Sequence, residues 1–511
     1  MKNLGTNKRN YVYRNCIFEG DNINIKFDNK YFFTQIPSLF FQKKERKFFF
    51  TINYTNLCNL NCDYCYRCKS TIMKENSIKP ETLLDLLFEM IDKKLINKYD
   101  EFIFSFGLSS EPMLDLSLLK QLFIKISERE NYLFEEDDFI NSLEDIVQLL
   151  KNELNIVNEK KNGIDFLNEI LFDRELKNKI EYEICDIENQ SRYLLYKDKI
   201  HISKIVRLNR RIIESKFKDK IKKKQQKFYT FWCMSNGTIV NDDIIDFIHE
   251  ADITPFWISL DLNKKSHDFH RKFYNGTGSY DIVVKNIEKM IERGVEIKLS
   301  TVITNSSDDI LSCLYCFQNL GIKKINMTFC RDKNLFSTSN LLNLMNQYRR
   351  IYEQLKNDIL KENYNLLLFL SEDKITEPLR FLLRREKMVH RCDWNRQLII
   401  DSTGDCWPCL YFSKYEKYKI SNLNSKLTIN KKNISNKDSF TRECNKCFAK
   451  YLCGGYCKYT AILENEDITK KSDFECNLRR FFVEEVVKLL IDLYNENYDL
   501  KKLYYEFIDK L

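Results

Sequence analysis

The sequence predicts an α/β chain: a partial (β/α)6 barrel, interrupted by a helical insertion and followed by a small domain organised by cysteines. Three observations predict it. Six short apolar runs, KFFFTINYT (47–55), EFIFSFG (101–107), FYTFWCMS (228–235), PFWISLDL (255–262), EIKLSTVIT (296–304) and KINMTFC (324–330), alternate with amphipathic segments such as PETLLDLLFEMIDKKL and SYDIVVKNIEKMIERGV. Strand alternating with helix is the pattern of parallel βα units. Roughly 120 residues separate the second run from the third, too many for a structureless loop. After residue 385 the periodicity is lost, and cysteine, glycine and tryptophan become frequent.

Taken in order, residues 1–48 read as short strands (YVYRNCIFEG, INIKF, KYFFTQI) punctuated by Asn and Asp, as in hairpins. The barrel is expected in two pieces, 49–121 and 228–385, around the insertion at 122–227. The insertion is charged and helical in pattern, and its last part, Arg207 to Lys227, is basic: a solvated helix face, or a lid or dock for an acidic partner. The segment 386–476 is the cysteine-organised domain, and 477–511 reads as amphipathic helix. In parallel barrels the chemistry sits at the C-terminal ends of the strands.

Composition narrows the function classes. The 511 residues are 43% hydrophobic and 31% charged, ordinary for a globular protein. A net charge of +8 over this length is weak for nucleic-acid binding, and no nucleic-acid partner is expected. The N-terminus lacks an apolar signal region and no run approaches a membrane span, so a cytoplasmic protein without membrane contact is expected. There, 18 cysteines point to metal or redox chemistry rather than disulfides.

The cysteines are concentrated in two places. CNLNCDYC places Cys58, Cys62 and Cys65 directly after the first strand. Three closely spaced thiolates can wrap three corners of a [4Fe–4S] cube and leave the fourth iron open. A zinc site needs a fourth ligand, which Cys68 could supply. Eight more cysteines lie between Cys392 and Cys476, including C-x2-C-x5-C-x3-C from Cys444, Cys447, Cys453 and Cys457.

In this context the first motif resembles that of the radical SAM superfamily, and the other strand ends carry matching segments. FGLSSEPML resembles a GGEP-type segment, with serines in place of its two glycines. MSNGT resembles the family's TNG segment, and ISLDLNKKSHDFHRKFYNGTGSYDIVVKNI resembles a stretch of its peptide-modifying members. The resemblance implies a radical SAM barrel in which the open iron chelates S-adenosylmethionine (SAM). Reductive cleavage would then give a 5′-deoxyadenosyl radical that abstracts hydrogen. By the same resemblance the SAM contacts would be Tyr64, Ser110, Glu111 (to the ammonium), Ser235, Asn236, Ser259, Asp261 and Arg271.

The C-terminal spacing resembles the iron–sulfur SPASM domain, which holds two auxiliary [4Fe–4S] clusters and would bring the total to three. Cys444, Cys447, Cys453 and Cys476 would hold the outer cluster; Cys392, Cys409 and Cys457 the inner. The fourth inner ligand is Cys406, in GDCWPC, or a substrate thiolate. Sulfatase-maturating members carry an Asp directly after the cysteine matching Cys409; here Leu410 and Tyr411 follow.

The resemblance thus implies an anaerobic, oxidoreductase-type maturase of a ribosomally made (RiPP) peptide. It would crosslink its substrate oxidatively through thioether or carbon–carbon bonds, with sulfatase-maturase-like side-chain oxidation as the alternative. The partners would be a precursor peptide, with a leader recognised by the strand-rich 1–48, and an electron donor such as flavodoxin or ferredoxin. No catalytic acid or base is identified from the sequence.

Overall fold

In the computed structural model the described residues are 16–19, 22–27, 30–31, 47–132 except 56, 66–77, 100 and 109, and 228–508 except 333–335, 385, 387, 389–391, 393–395, 414 and 424–439. Cys68, Ser109, most of the insertion and the flanks of the N-terminal strands lie outside them. Strands β1 (Cys16–Glu19), β2 (Asn22–Phe27) and β3 (Lys30–Tyr31) form a three-stranded antiparallel sheet.

The main sheet contains β4 (Lys47–Asn53), β5 (Glu101–Phe106), β6 (Phe228–Ser235), β7 (Phe256–Ser259), β8 (Ile297–Ile303) and β9 (Lys324–Phe329), each parallel to the next. These are the six runs read as strands. Helices α1 (Pro80–Met90), α2 (Leu116–Tyr132), α3 (Asp242–Glu250), α4 (Lys264–His270), α5 (Tyr280–Glu292), α6 (Ile310–Asn319) and α7 (Thr338–Leu360) intervene or follow. Helix α2 runs past the expected barrel boundary at residue 121.

One strand is additional. β10 (Gln397–Asp401), from the cysteine-rich part, pairs parallel with β4 and covers what would be an open edge of the partial barrel. β11 (Asp405–Trp407) and β12 (Ser421–Asn422) continue outward antiparallel. After α8 (Glu377–Arg384), the last helices are α9 (Lys458–Asn465), α10 (Asp473–Asn495) and α11 (Leu500–Ile508). The segment expected to be one helix from 477 is thus two, and the first begins early enough to carry Cys476 on its opening turn.

Side-chain alternation divides the sheet into two faces. Phe102, Phe104, Phe106, Tyr229 and Phe231 pack on the helices, with Phe88 of α1 edge-on to Phe104 and Phe123 of α2 edge-on to Phe231. The opposite face mixes small or polar residues, Thr51, Ser105, Thr230, Ser259 and Ser300, with Phe49, Ile103, Trp232, Met234 and Trp257. Toward its lower end Lys298 lies 3.9 Å from the Trp257 ring centroid and pairs with Glu372. Among the described residues no helix is long and apolar enough to cross a membrane.

Candidate functional site

The three-cysteine loop leaves β4 and is bound to the far side of the barrel. Leu60 bridges Phe273 antiparallel, Asn61 N–H donates to the Lys272 carbonyl at 2.7 Å, and the Asp63 carboxylate lies 2.7 Å from His270 Nδ1. From the near side the Glu111 N–H donates to the Leu57 carbonyl at 2.8 Å. Cys58, Cys62 and Cys65 face one another closely enough to oppose each other's ionisation. Burial pushes the Cys62 thiol up to about 12 against the pull of Arg271, and Cys65 and Cys58 add to the rise. A positive centre bound here would relieve that mutual repulsion, which is the condition for a thiolate-ligated metal cluster.

Glu111, Ser235 and Asn236 are brought together, but not as free ligands. Glu111 is 1% exposed. Its Oε1 accepts from Ser235 Oγ at 2.9 Å and Met113 N at 3.1 Å, and its Oε2 from Asn236 N at 2.6 Å. Burial pushes its carboxyl up to about 7 against these three bonds. The side chain therefore joins the ends of β5 and β6, rather than standing open to an ammonium group. Asn236 Nδ2 reaches Cys58 Sγ at 3.8 Å and Asn59 Oδ1 at 2.8 Å, which orients the first cysteine. Gly107 makes the junction possible: its φ is +85°, and a Cβ there would fall 1.9 Å from the Met234 carbonyl oxygen.

Tyr64, Asp261 and Arg271 form a second group. Asp261 is fully buried; its Oδ2 accepts from the Tyr64 hydroxyl at 2.6 Å and Arg271 Nε at 3.0 Å, and its Oδ1 from Val302 N at 3.0 Å and Arg271 Nη2 at 3.3 Å. Burial alone would raise the Asp261 carboxyl, but Arg271 above all outweighs it and holds the group below its usual range. The Arg271 guanidinium also lies 5.4 Å from the centre of the Tyr64 ring. By contrast Ser110 and Ser259, at the ends of β5 and β7, are half-buried and have no side-chain hydrogen bond among the described residues. Ser105 Oγ and Thr304 Oγ1 are buried without a partner among them. These hydroxyls keep hydrogen-bonding capacity that the described residues do not use.

Sequence reasoning missed His267 and Ser279. The Asp261 N–H donates to His267 Nδ1 at 3.2 Å, His267 Nε2 lies 2.9 Å from Ser279 Oγ, and Ser279 Oγ donates to the Arg271 carbonyl at 2.9 Å. This chain fixes both partners of the ion pair, and its signal was the HD and GTGS residues of the β7 segment. Gly278 is required because a Cβ there would lie 2.1 Å from Asp268 Cγ, and Asp268 Oδ1 caps the backbone of Tyr280 at 2.8 Å.

The second cysteine group falls into two sets in the structure, with Cys406 in neither. Burial pushes the Cys409 thiol up to about 12, and the neighbouring Cys457 and Cys392 push it in the same direction. Cys457 lies at the start of α9, its N–H 3.3 Å from Glu475 Oε2. Cys406 is not brought to them. Its neighbour Trp407 packs with Cys457 and Cys409, whereas Cys406, pointing to the other face of β11, is wholly buried in the main core and lies 3.4 Å from the Gly404 carbonyl. The expectation that Cys406 completes the inner set is corrected by this register.

Cys444, Cys447, Cys453 and Cys476 line one cavity, together with Lys450, Lys471 and Arg480. Among the described residues no three His, Cys, Asp or Glu side chains converge on a single metal ion. Thiolates set at the corners of a cavity fit a cube with an iron at each corner.

Arg331 was also missed. It follows β9, its guanidinium 4.3 Å from the centre of the Tyr411 ring, and Tyr411 stacks on Tyr459 at 4.6 Å.

No family model matches the chain. Over 279 residues, 51% of this chain and 72% of the relative, it is 24% identical to the cysteine-type anaerobic sulfatase-maturating enzyme of Clostridium novyi (strain NT). Among solved structures, native anSMEcpe with bound AdoMet superposes with a TM-score of 0.55 at 16% identity, covering 88% of this chain and 99% of that one. The same protein with bound AdoMet and Cp18Cys peptide gives 0.53 at 16% identity, over 88% and 99%. The chain has the fold of these radical SAM/SPASM proteins.

Proposed function

We propose that this protein is a radical SAM enzyme that oxidises a side chain of a peptide substrate. The observation that carries this reading is the convergence, at the C-terminal ends of the barrel strands, of the Cys58–Cys62–Cys65 loop with two buried groups that hold it, Glu111–Ser235–Asn236 and Tyr64–Asp261–Arg271. These three cysteines would hold a [4Fe–4S] cluster with SAM on its open iron, supplying a 5′-deoxyadenosyl radical when reduced. The chain's own work is to fix the loop and to offer the free hydroxyls of Ser110 and Ser259 to the cofactor's polar groups. Cys392, Cys409 and Cys457 would hold an inner auxiliary cluster, with a substrate thiolate as its remaining ligand. Cys444, Cys447, Cys453 and Cys476 would hold an outer one. Electrons would come from a flavodoxin or ferredoxin.

The product divides two readings. Leu410 after Cys409, where sulfatase-maturating relatives carry an acid, favours crosslinking of a ribosomally made precursor peptide. The curated relative, itself a sulfatase-maturating enzyme, favours oxidation of a protein side chain to an aldehyde. Two experiments test the proposal. Oxygen-free protein with SAM and dithionite should release 5′-deoxyadenosine, and the triple Cys58, Cys62, Cys65→Ala variant should release none; release by the variant overturns it. Mass spectrometry of a co-expressed peptide, before and after thiol alkylation, separates the products: loss of two hydrogens with protected thiols marks a thioether, and an aldehyde the alternative.

A further inference from the structure

Arg331 is half-buried beside the inner cysteines, without an ion-pair or hydrogen-bond partner among the described residues. It follows the last barrel strand; Cys330 N–H is tied to the Ile303 carbonyl at 2.9 Å, so the backbone that carries Arg331 is anchored to β8. Its guanidinium carbon lies 4.3 Å from the centre of the Tyr411 ring, and Tyr411 stacks on Tyr459 at 4.6 Å. The acidic groups near it are the Cys457 and Cys409 thiols, the Tyr411 hydroxyl and the Glu475 carboxyl. An arginine side chain is a cation at any working pH. Glu475 is already engaged, accepting from Thr460 Oγ1 at 2.6 Å and from Cys457 N. Ligated as thiolates, Cys409 and Cys457 would be the anions beside Arg331.

We propose that Arg331 is the counter-charge of the inner auxiliary cluster and sets its reduction potential high enough to take an electron from the substrate. The inference rests on the reading of Cys392, Cys409 and Cys457 as cluster ligands. A cluster's potential follows its net charge and its surroundings. Reduction adds one negative charge, and a cation held close by stabilises the reduced state more than the oxidised one. An oxidative maturation needs this. After the deoxyadenosyl radical has taken a hydrogen atom, the substrate radical must lose one electron and one proton to become product. The proton goes to solvent, and the electron to the inner cluster. Tyr411 is a positioning residue in this account, because it packs with Cys409 and Cys457 on one side and carries the Arg331 guanidinium on its ring.

The test uses the full chain carrying Cys58, Cys62, Cys65→Ala, so that only the auxiliary clusters contribute, purified without oxygen and titrated electrochemically with EPR detection. The parent should carry about eight irons per chain, from two cubes of four. Arg331→Met and Arg331→Gln should keep that iron and lower one of two midpoints while leaving the other in place. Arg331→Lys, which keeps the charge, should recover most of the shift. Two unchanged midpoints in the neutral variants, at full iron, overturn the proposal. So does loss of the inner cluster from both neutral variants with its retention in Arg331→Lys, which would make Arg331 a structural residue. A parent with fewer than two clusters removes the cluster reading itself, and the proposal with it.

Discussion

The Tyr64 hydroxyl donates to Asp261 Oδ2 at 2.6 Å, joining the cysteine loop after β4 to the end of β7 across 197 residues of sequence. The acceptor is buried and already paired with Arg271, so the contact is a charge-assisted bond in a low-dielectric place. It is one of several links between the loop and the β7 side, which together make the loop part of the barrel rather than an appendage.

The two partners should therefore differ in what their loss costs. Tyr64→Phe removes one hydrogen bond to a charged group and leaves the ion pair intact, a loss of about 1.5–3 kcal/mol. Asp261→Asn leaves the Arg271 guanidinium buried without its counter-charge, a loss of about 3–5 kcal/mol. Thermal unfolding of both variants should rank Asp261→Asn well below Tyr64→Phe. Both should release iron from the Cys58–Cys62–Cys65 loop to a chelator faster than wild type. Equal unfolding temperatures for the two variants would contradict the coupling.

His267 supplies a pH dependence. Burial, and then Arg271, lower its pKa from 6.5 to about 4, while Asp261 works in the other direction. The other ring facing it is Tyr280, edge-on at 5.4 Å. A base whose folded pKa is depressed binds fewer protons folded than unfolded, so stability rises with pH between about 4 and 6.5 and is lost as pH falls through that window. At roughly 1.36 kcal/mol per unit, the full effect is on the order of 3 kcal/mol. Unfolding midpoints measured from pH 7.5 down to pH 5 should fall more steeply for wild type than for His267→Gln, which has nothing to titrate. Parallel curves would show that His267 is not the group responsible.

Much of this architecture was legible because each barrel strand carries its own apolar run, and because the cysteine loop and the β7 segment are dense in polar residues with few alternative uses. Three features were not legible, for physical reasons. Strand β10, QLIID, is short and set among polar residues; it is a strand because it pairs with the edge of β4, a tertiary cause. The side to which Cys406 points depends on the register of β11, since a one-residue slip exchanges the two faces. Cys406 and Cys409 look equivalent in GDCWPC until that register is known. Arg331 is one of 82 basic residues, and nothing in KINMTFCRD marks it; only the fold brings it to Tyr411 and Cys457.

The register of β11 makes a prediction about iron. Cys406 pairs with Ile400 of β10 and packs with the main core, while Trp407 pairs with Ile399 and packs with Cys457 and Cys409. A ligand must face the site it serves, so the thiol of Cys406 is a small core group and not an anchor for metal. Cys406→Ala should then keep the iron and sulfide of wild type and show only the modest destabilisation of a small core truncation, about 1–2 kcal/mol. Cys409→Ala and Cys457→Ala remove groups that face the site, and each should lose up to about four irons per chain, one cube. Elemental analysis of the three variants, purified side by side without oxygen, separates the outcomes. Loss of a cube from Cys406→Ala would mean that β11 shifts its register when the cluster binds.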